Sequence, residues 1–316
     1  MRLAFLYAGQ GSQKTGMGKD LYETYDTFRK VIDDAKLSFD VKTCMFEGPV
    51  EQLNETKYTQ PCMAAFAAGM TALLKENGIE PDMAMGLSLG EYSALHAAGV
   101  FDTDTFLKLV EFRGNAMQQA AEGIECRMSA VLGLAREEVE RVCAEVTKQC
   151  EADGHKVEVS NYNCPGQYVI TGTKEAVAQA EEKALEAGAK RCMPLTVRGP
   201  FHTSFMAPAG DALREEFTHI TWGEMRIPVI FNTTAHTLRD GETIAGLLER
   251  QVQSSIYIED SIRALEEAGI EAVIEIGPGK VLSGFVKRTS KKMKMYAVED
   301  AASLQKLLGQ KEEILA

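Results

Sequence analysis

Ser88 lies in Gly86-Leu87-Ser88-Leu89-Gly90, a G-x-S-x-G pattern. Two glycines around a serine permit the tight strand-to-helix turn that lifts a hydroxyl to a helix N-terminus, where main-chain amides can receive an oxyanion. The competing reading is a serine in an ordinary glycine-rich turn. Its placement between a predicted strand at 83–85 and a predicted helix over 89–98 favours the reactive one. A serine nucleophile needs a base within hydrogen-bond reach. Of the five histidines, His155 lies in a charged, glycine-containing loop and reads as solvated, and His96, on the helix after Ser88, reads as packing. His202, in Arg198-Gly199-Pro200-Phe201-His202-Thr203-Ser204, is the best placed, because this turn-rich loop joins two predicted domains and such junctions favour sites.

Arg113 falls on the apolar stripe of Phe106, Leu109, Val110 and Met117, on a helix predicted from about 104 to 121. A buried arginine needs an anion or a wet cavity. Two readings stand side by side: a structural ion pair with an acidic neighbour, or a forked seat for a substrate carboxylate. The loop Gly9-Gln10-Gly11-Ser12-Gln13 invites a phosphate reading and fails it in detail. Gly11 to Gly16 has P-loop spacing, but Met17 stands at the lysine position, and Gly9-Gln10-Gly11 does not continue as G-x-G-x-x-G. Leaving the first strand, this loop can instead offer a backbone N–H to Ser88.

These residues need a scaffold. Residues 3–7 read as a short buried strand, and from Gln60 onward Met63, Phe66, Ala67, Met70, Leu73 and Leu74 share one helical face that stops near Gly78. Strand–helix alternation through about 121 predicts an α/β layer with a parallel sheet. From Arg127 the order changes to strand 128–132, helix 136–146, strands 157–162 and 168–171, helix 174–187 and strand 192–196. That β-α-β-β-α-β order is ferredoxin-like. Strands at 229–232, 272–276 and 295–298, with helices over 244–253, over 256–267 and from about 281, then resume the first layer. The expected fold is α/β: a large domain of 1–125 and 198–316 with a ferredoxin-like small domain, 126–197, inserted into it.

A length of 316 residues has room for about two domains. The 34 Lys+Arg against 46 Asp+Glu leave a net charge of −12, which argues against nucleic acid or an anionic membrane as partner. Apolar runs such as 63–70 are too short to span a bilayer, and residues 1–8 read as a strand rather than a signal peptide. Seven scattered cysteines without a C-x-x-C pair speak against a disulfide framework or a zinc site and point to a reducing cytoplasm.

In order along the chain, Gly9-Gln10-Gly11-Ser12-Gln13, Gly86-Leu87-Ser88-Leu89-Gly90-Glu91, Phe112-Arg113-Gly114, Asn161-Tyr162-Asn163-Cys164-Pro165-Gly166-Gln167, Gly199-Pro200-Phe201-His202, Gln251 and Glu275-Ile276-Gly277-Pro278-Gly279-Lys280 resemble the malonyl-CoA:acyl carrier protein transacylase family of fatty acid and polyketide synthesis. The resemblance spans nearly the whole chain. It implies an α/β-hydrolase-like large domain with the active site between it and the small one. It further implies Ser88 as nucleophile, His202 as its base, and the N–H groups of Gln10 and Leu89 as oxyanion hole. Arg113 would clamp the malonyl carboxylate, Gln251 rather than Gln253 would position His202 and the serine, and Asn163 and Phe201 would bind substrate. The implied reaction is ping-pong transfer from malonyl-CoA to the phosphopantetheine thiol of acyl carrier protein, without metal or redox cofactor, by a cytoplasmic monomer.

Three positions depart from the family pattern: Leu87 where histidine is usual, Ala8 where proline is common, and Ser254-Ser255-Ile256-Tyr257 in place of a proline-containing segment. Carrier proteins are acidic, as is this chain, so docking requires a local basic patch. Lys287-Arg288 and Lys291-Lys292-Met293-Lys294 form the densest one. Rival readings are a trans-acting acyltransferase of a polyketide pathway and a serine hydrolase that passes the acyl group to water. Intact Ser88, Arg113 and His202 argue against a non-catalytic binding module.

Overall fold

The computed structural model describes residues 1–196 and 199–316. In chain order its strands are β1 (Leu3–Tyr7), β2 (Met83–Gly86), β3 (Cys126–Leu132), β4 (Val157–Cys164), β5 (Gln167–Thr173), β6 (Arg191–Pro194), β7 (Ile256–Tyr257), β8 (Ala272–Ile276) and β9 (Lys294–Val298). They form two sheets.

The first has the order β2-β1-β8-β9 and is parallel throughout. Every residue of β1 and β8 is buried, as in a parallel sheet covered on both faces. The helices Thr56–Glu76 and Thr103–Ala121 pack together beside it. The first of these begins four residues before Gln60, because its opening turn, Thr56-Lys57-Tyr58-Thr59, is mostly polar and gives no apolar period to read. One charged residue is buried in β8. The Glu275 carboxylate accepts the N–H groups of Leu282 at 2.9 Å and Ser283 at 2.7 Å, fixing the start of the helix Val281–Thr289.

The second sheet has the order β6-β3-β5-β4-β7. Its first four strands are antiparallel neighbours in the ferredoxin-like arrangement, over a separate core that includes Val131, Val142, Ile170 and Val177. β7 comes from later in the chain and runs parallel to β4, pairing Ile256 with Asn161 and Tyr257 with Tyr162. The helix expected over 256–267 is therefore two elements, β7 and the helix Ile258–Glu267. Tyr162 and Tyr257 stack at 4.8 Å, and the Arg136 guanidinium lies 4.2 Å from the Tyr162 ring while bonding Asp260 at 2.8 Å.

The strand expected at 229–232 is corrected as well. Val229 makes an isolated parallel bridge to Ala84 and Ile230 an antiparallel one to Thr237. The main chain of Asn232 is committed elsewhere: its N–H to Glu91 and its carbonyl to the Tyr257 N–H. The domain junction expected at 197/198 falls on Val197 and Arg198, which lie outside the described residues. All seven cysteines are unbridged. Among the described residues no helix is long and apolar enough to cross a membrane.

Candidate active site

The chain leaves β2 at Gly86 and enters the helix Leu89–Ala97 through Ser88, whose φ of +53° and ψ of −101° are strained for a residue with a side chain. The flanking glycines are required by contact. A Cβ on Gly86 would lie 2.0 Å from the Gly90 carbonyl carbon, and one on Gly90 would lie 2.2 Å from the Tyr7 carbonyl oxygen. Asn232 holds the strained turn from both sides, donating from Nδ2 to the Gly86 carbonyl and accepting the Ser88 N–H at Oδ1, each at 2.7 Å. The Ser88 amide is thus occupied. The N–H groups of Gln10 and Leu89 have no hydrogen-bond partner among the described residues. No motif marks Asn232, which is 144 residues from the serine it holds.

His202 also has a positive φ, +60°, and its ring spans the serine and a main-chain carbonyl. Nδ1 lies 2.8 Å from the Gln251 carbonyl, which can only accept, so Nδ1 carries the proton and Nε2 presents a lone pair to Ser88 Oγ at 2.8 Å. Burial, with the Arg113 charge adding to it, pushes the imidazole down to about 4, so it is neutral near pH 7. The group orienting this base is a carbonyl and not a carboxylate. Gln251 contributes its side chain too: Nε2 donates to the Ser88 carbonyl at 2.8 Å and Oε1 accepts from Arg113 at 2.9 Å. Gln253 instead faces Gly210 and its own helix.

Arg113 is fully buried. Its guanidinium donates to Gln60 Oε1 at 2.7 Å, to Gln251 Oε1, and to Ser88 Oγ at 3.0 Å, and it lies 5.1 Å from the centre of the Tyr92 ring. Among the described residues it forms no ion pair, so the salt bridge with an acidic neighbour is not what holds this arginine. A buried cation bonded only to neutral groups is an uncompensated charge, and a ligand anion is what would balance it. Gln60, which sequence reasoning took only for a helix start, reaches on to Gln10 Oε1 at 3.3 Å, and Gln10 bonds Thr56 at 3.0 Å. Clamp and N-terminal loop are therefore one network.

Ser88 opens into a cavity of about 300 Å³ between the two sheets, lined among others by Gln10, Leu87, Asn163, Phe201, Val281 and Phe285. The Asn163 Oδ1 is buried there without a partner among the described residues. Every site residue expected from the sequence lines this space or bonds Ser88 and Arg113, except Leu89, whose side chain is buried and whose amide is what matters. A larger surface cleft of about 490 Å³ near Lys30 and Leu107 contains none of them. His96, as expected, is a packing residue, stacked on Phe106 at 4.7 Å.

A hydroxyl so held, beside a neutral imidazole and two unclaimed amides, suits the passage of an acyl group, and the fold and site together define an acyltransferase. Comparison with known proteins agrees. The Acyl transferase domain model matches residues 4–313. The malonyl CoA-acyl carrier protein transacylase of Bacillus subtilis (strain 168) is 40% identical over 306 residues, covering 96% of this chain and 95% of that protein. The crystal structure of MCAT from Streptococcus pneumoniae matches with a TM-score of 0.92 and 42% identity, over 98% of this chain and 100% of that one. A malonyl-transacylase in complex with its type II PKS acyl-carrier protein matches with a TM-score of 0.93 and 36% identity, again over 98% and 100%. The chain belongs to the acyl transferase family, among the malonyl CoA-acyl carrier protein transacylases.

Proposed function

We propose that the protein transfers the malonyl group of malonyl-CoA to the phosphopantetheine thiol of acyl carrier protein, for fatty acid synthesis, through a malonyl ester on Ser88. The observation that carries this reading is the buried Arg113 guanidinium, unpaired with any acid among the described residues and 3.0 Å from the Ser88 hydroxyl. Its fork suits the free carboxylate of an acyl group whose other end lies at the serine. In the first half-reaction His202 Nε2 takes the Ser88 proton and Oγ attacks the thioester carbonyl. The amides of Gln10 and Leu89 receive the oxyanion, and the imidazolium returns the proton to the departing thiolate as the C–S bond breaks. Arg113 meanwhile exchanges its bond to Oγ for the substrate carboxylate. The carrier thiol then enters, gives its proton to His202, attacks the ester carbonyl, and the proton passes back to Ser88. Gln251 holds imidazole, serine and guanidinium in register, and Asn163 and Phe201 border the incoming substrate. This chemistry calls for no metal or redox cofactor.

The names of the relatives support malonyl and a carrier protein as the two partners. The complex with a type II PKS carrier favours a second reading, in which the acceptor belongs to polyketide synthesis. Unbridged thiols, most of them buried, suit a reducing cytoplasm, and a monomer suffices, since all the site groups come from one chain. Intact-mass analysis after exposure to malonyl-, methylmalonyl- and acetyl-CoA tests the proposal. A malonyl adduct is expected on the wild type, absent in Ser88→Ala and discharged by holo carrier protein. Rapid malonate release indifferent to carrier would make the protein a hydrolase.

For carrier docking the basic run divides. Lys292 pairs with Glu266 at 2.6 Å, Lys294 with Glu313 at 2.8 Å, and Arg288 bonds Gln167 across the seam. Lys287 and Lys291 are exposed and form no ion pair among the described residues, on or just beyond the helix whose Val281 and Phe285 line the cavity. Replacing both by glutamate is expected to raise the carrier KM about tenfold, through roughly 0.7 kcal/mol lost per charge at low salt, with malonylation by malonyl-CoA unchanged. Steady-state kinetics at low and high salt check this. An unaltered carrier KM would place docking elsewhere.

A further inference from the structure

Gln60 is a side chain of the site to which the transfer mechanism gives no part. It lies one turn into the helix Thr56–Glu76 and is buried, with Oε1 accepting from Arg113 Nη1 at 2.7 Å. Its reach follows from how closely this helix meets Thr103–Ala121. A Cβ on Gly114, the residue after Arg113, would stand 3.0 Å from the Thr56 carbonyl oxygen. The two ends of the Gln60 amide differ in hydrogen-bonding sense more than in shape, so its neighbours decide which end faces the guanidinium. Nε2 donates to Met117 Sδ and to Gln10 Oε1, each at 3.3 Å. Met117, one turn beyond Arg113, offers a sulfur that only accepts, which leaves the oxygen for Arg113. Gln251 supplies the other amide oxygen on this guanidinium, but it also bonds the Ser88 carbonyl and orients His202. Gln60 forms no hydrogen bond to either reacting residue among the described residues.

We propose that Gln60 is a specificity-determining residue of the carboxylate seat, because it anchors the Arg113 fork without supplying a charge. The inference rests on the malonyl reading above. Gln60→Glu would fill the same space and accept the same Nη1–H. It would also supply the counter-ion that Arg113 lacks among the described residues. A malonyl carboxylate would then meet a neutralised pair and a like charge in a buried site. An acetyl group brings no carboxylate and is indifferent to the exchange. The rest of the network tolerates it. Gln10 can turn its amide over, giving Nε2 to the new carboxylate and accepting the Thr56 hydroxyl proton at Oε1, so both bonds survive. Met117 alone loses a donor, and its sulfur is a weak acceptor. The neutral amide thus holds the guanidinium in place and keeps its charge for the substrate.

The test compares Gln60→Glu with Gln60→Met, which keeps the bulk but offers Arg113 no comparable acceptor, in the full-length protein. Acyl-serine formation from malonyl-CoA and from acetyl-CoA is followed by intact mass. In Gln60→Glu, kcat/KM for malonyl-CoA is expected to fall about 100-fold, and for acetyl-CoA no more than about threefold. In Gln60→Met the malonyl value is expected to fall only about tenfold, the loss of one hydrogen bond to a charged group. A purely structural seat predicts the reverse order, since the carboxylate mimics the lost amide and the thioether does not. A Gln60→Glu rate closer to the wild type than the Gln60→Met rate therefore overturns the proposal, as do equal losses on the two thioesters in Gln60→Glu. Thermal unfolding gives an independent readout. Completing the buried pair should leave the Gln60→Glu midpoint at or above the wild-type one, and a Gln60→Glu protein that unfolds earlier or fails to fold overturns the proposal too. Should Gln60→Met not fold, the selectivity and midpoint of Gln60→Glu decide alone. A wild type that forms no malonyl-serine overturns the malonyl reading, whereas a raised midpoint in Gln60→Glu would still show a guanidinium awaiting an anion.

Discussion

In an Arg113→Ala variant, kcat/KM for malonyl-CoA is expected to fall about 100- to 1,000-fold, the cost of removing one partner of a buried charge-assisted pair. The loss for acetyl-CoA is expected to be far smaller, so that acetyl becomes relatively favoured. The guanidinium is held by Gln60 and Gln251 and forms no ion pair among the described residues, so its interaction energy is available to a ligand anion and is not already spent on a protein salt bridge. Arg113→Lys keeps the charge but cannot reach Gln60, Gln251 and Ser88 from one rigid fork, and should recover only part of the rate. Parallel kinetics on the two thioesters, with a thermal unfolding check, decide the matter. Equal losses for malonyl and acetyl would mean that the arginine serves the structure and not the substrate.

Removing the base should cost more. His202→Ala is expected to slow both half-reactions about 1,000- to 10,000-fold, because each passes its proton through the same Nε2. Pre-steady-state measurement of acyl-serine formation and of its discharge onto carrier separates the two halves. Loss in only one of them would assign the other proton transfer to a different group. The pH profile gives a further check. Since burial and Arg113 push His202 down to about 4, the acidic limb of kcat/KM should lie well below the ordinary histidine range. With acetyl-CoA as substrate, Arg113→Ala should shift that limb upward, because a neighbouring positive charge has been taken away.

Much of this site is legible in the sequence, and the reason is local in each case. Ser88 is marked by glycines that the turn itself demands, and Arg113 stands out because a charge on an apolar helical stripe has nowhere else to be. The small sheet is legible because its strands are apolar runs separated by helices with a clear period. Asn232, Gln60 and Glu91 escape the same reading. Their importance lies in hydrogen bonds to residues far along the chain, and nothing in their immediate neighbours records those partners. Residues 229–232 have the composition of a strand, yet the backbone groups of Asn232 are drawn off to Glu91 and Tyr257 and the N–H of Phe231 to His236, so only isolated bridges form. The basic run after Phe285 misleads in the opposite way: residues adjacent in sequence send their side chains to separate partners. Two residues are too few for any alternation to be detected, which is why β7 is missed.

That two-residue strand also bears on how such proteins can be recombined. Exchanging the inserted lobe between relatives would seem to need only the segment from Cys126 to Pro194, yet the last rung of its sheet is encoded more than sixty residues downstream, immediately after the helix bearing Gln251. A chimaera cut at the obvious borders would join a foreign sheet edge to a native ribbon, and any mismatch in register would be transmitted to the end of the helix that orients the imidazole. Modular shuffling of this architecture therefore has to move Ser254 to Asp260 together with the lobe, as a single non-contiguous unit.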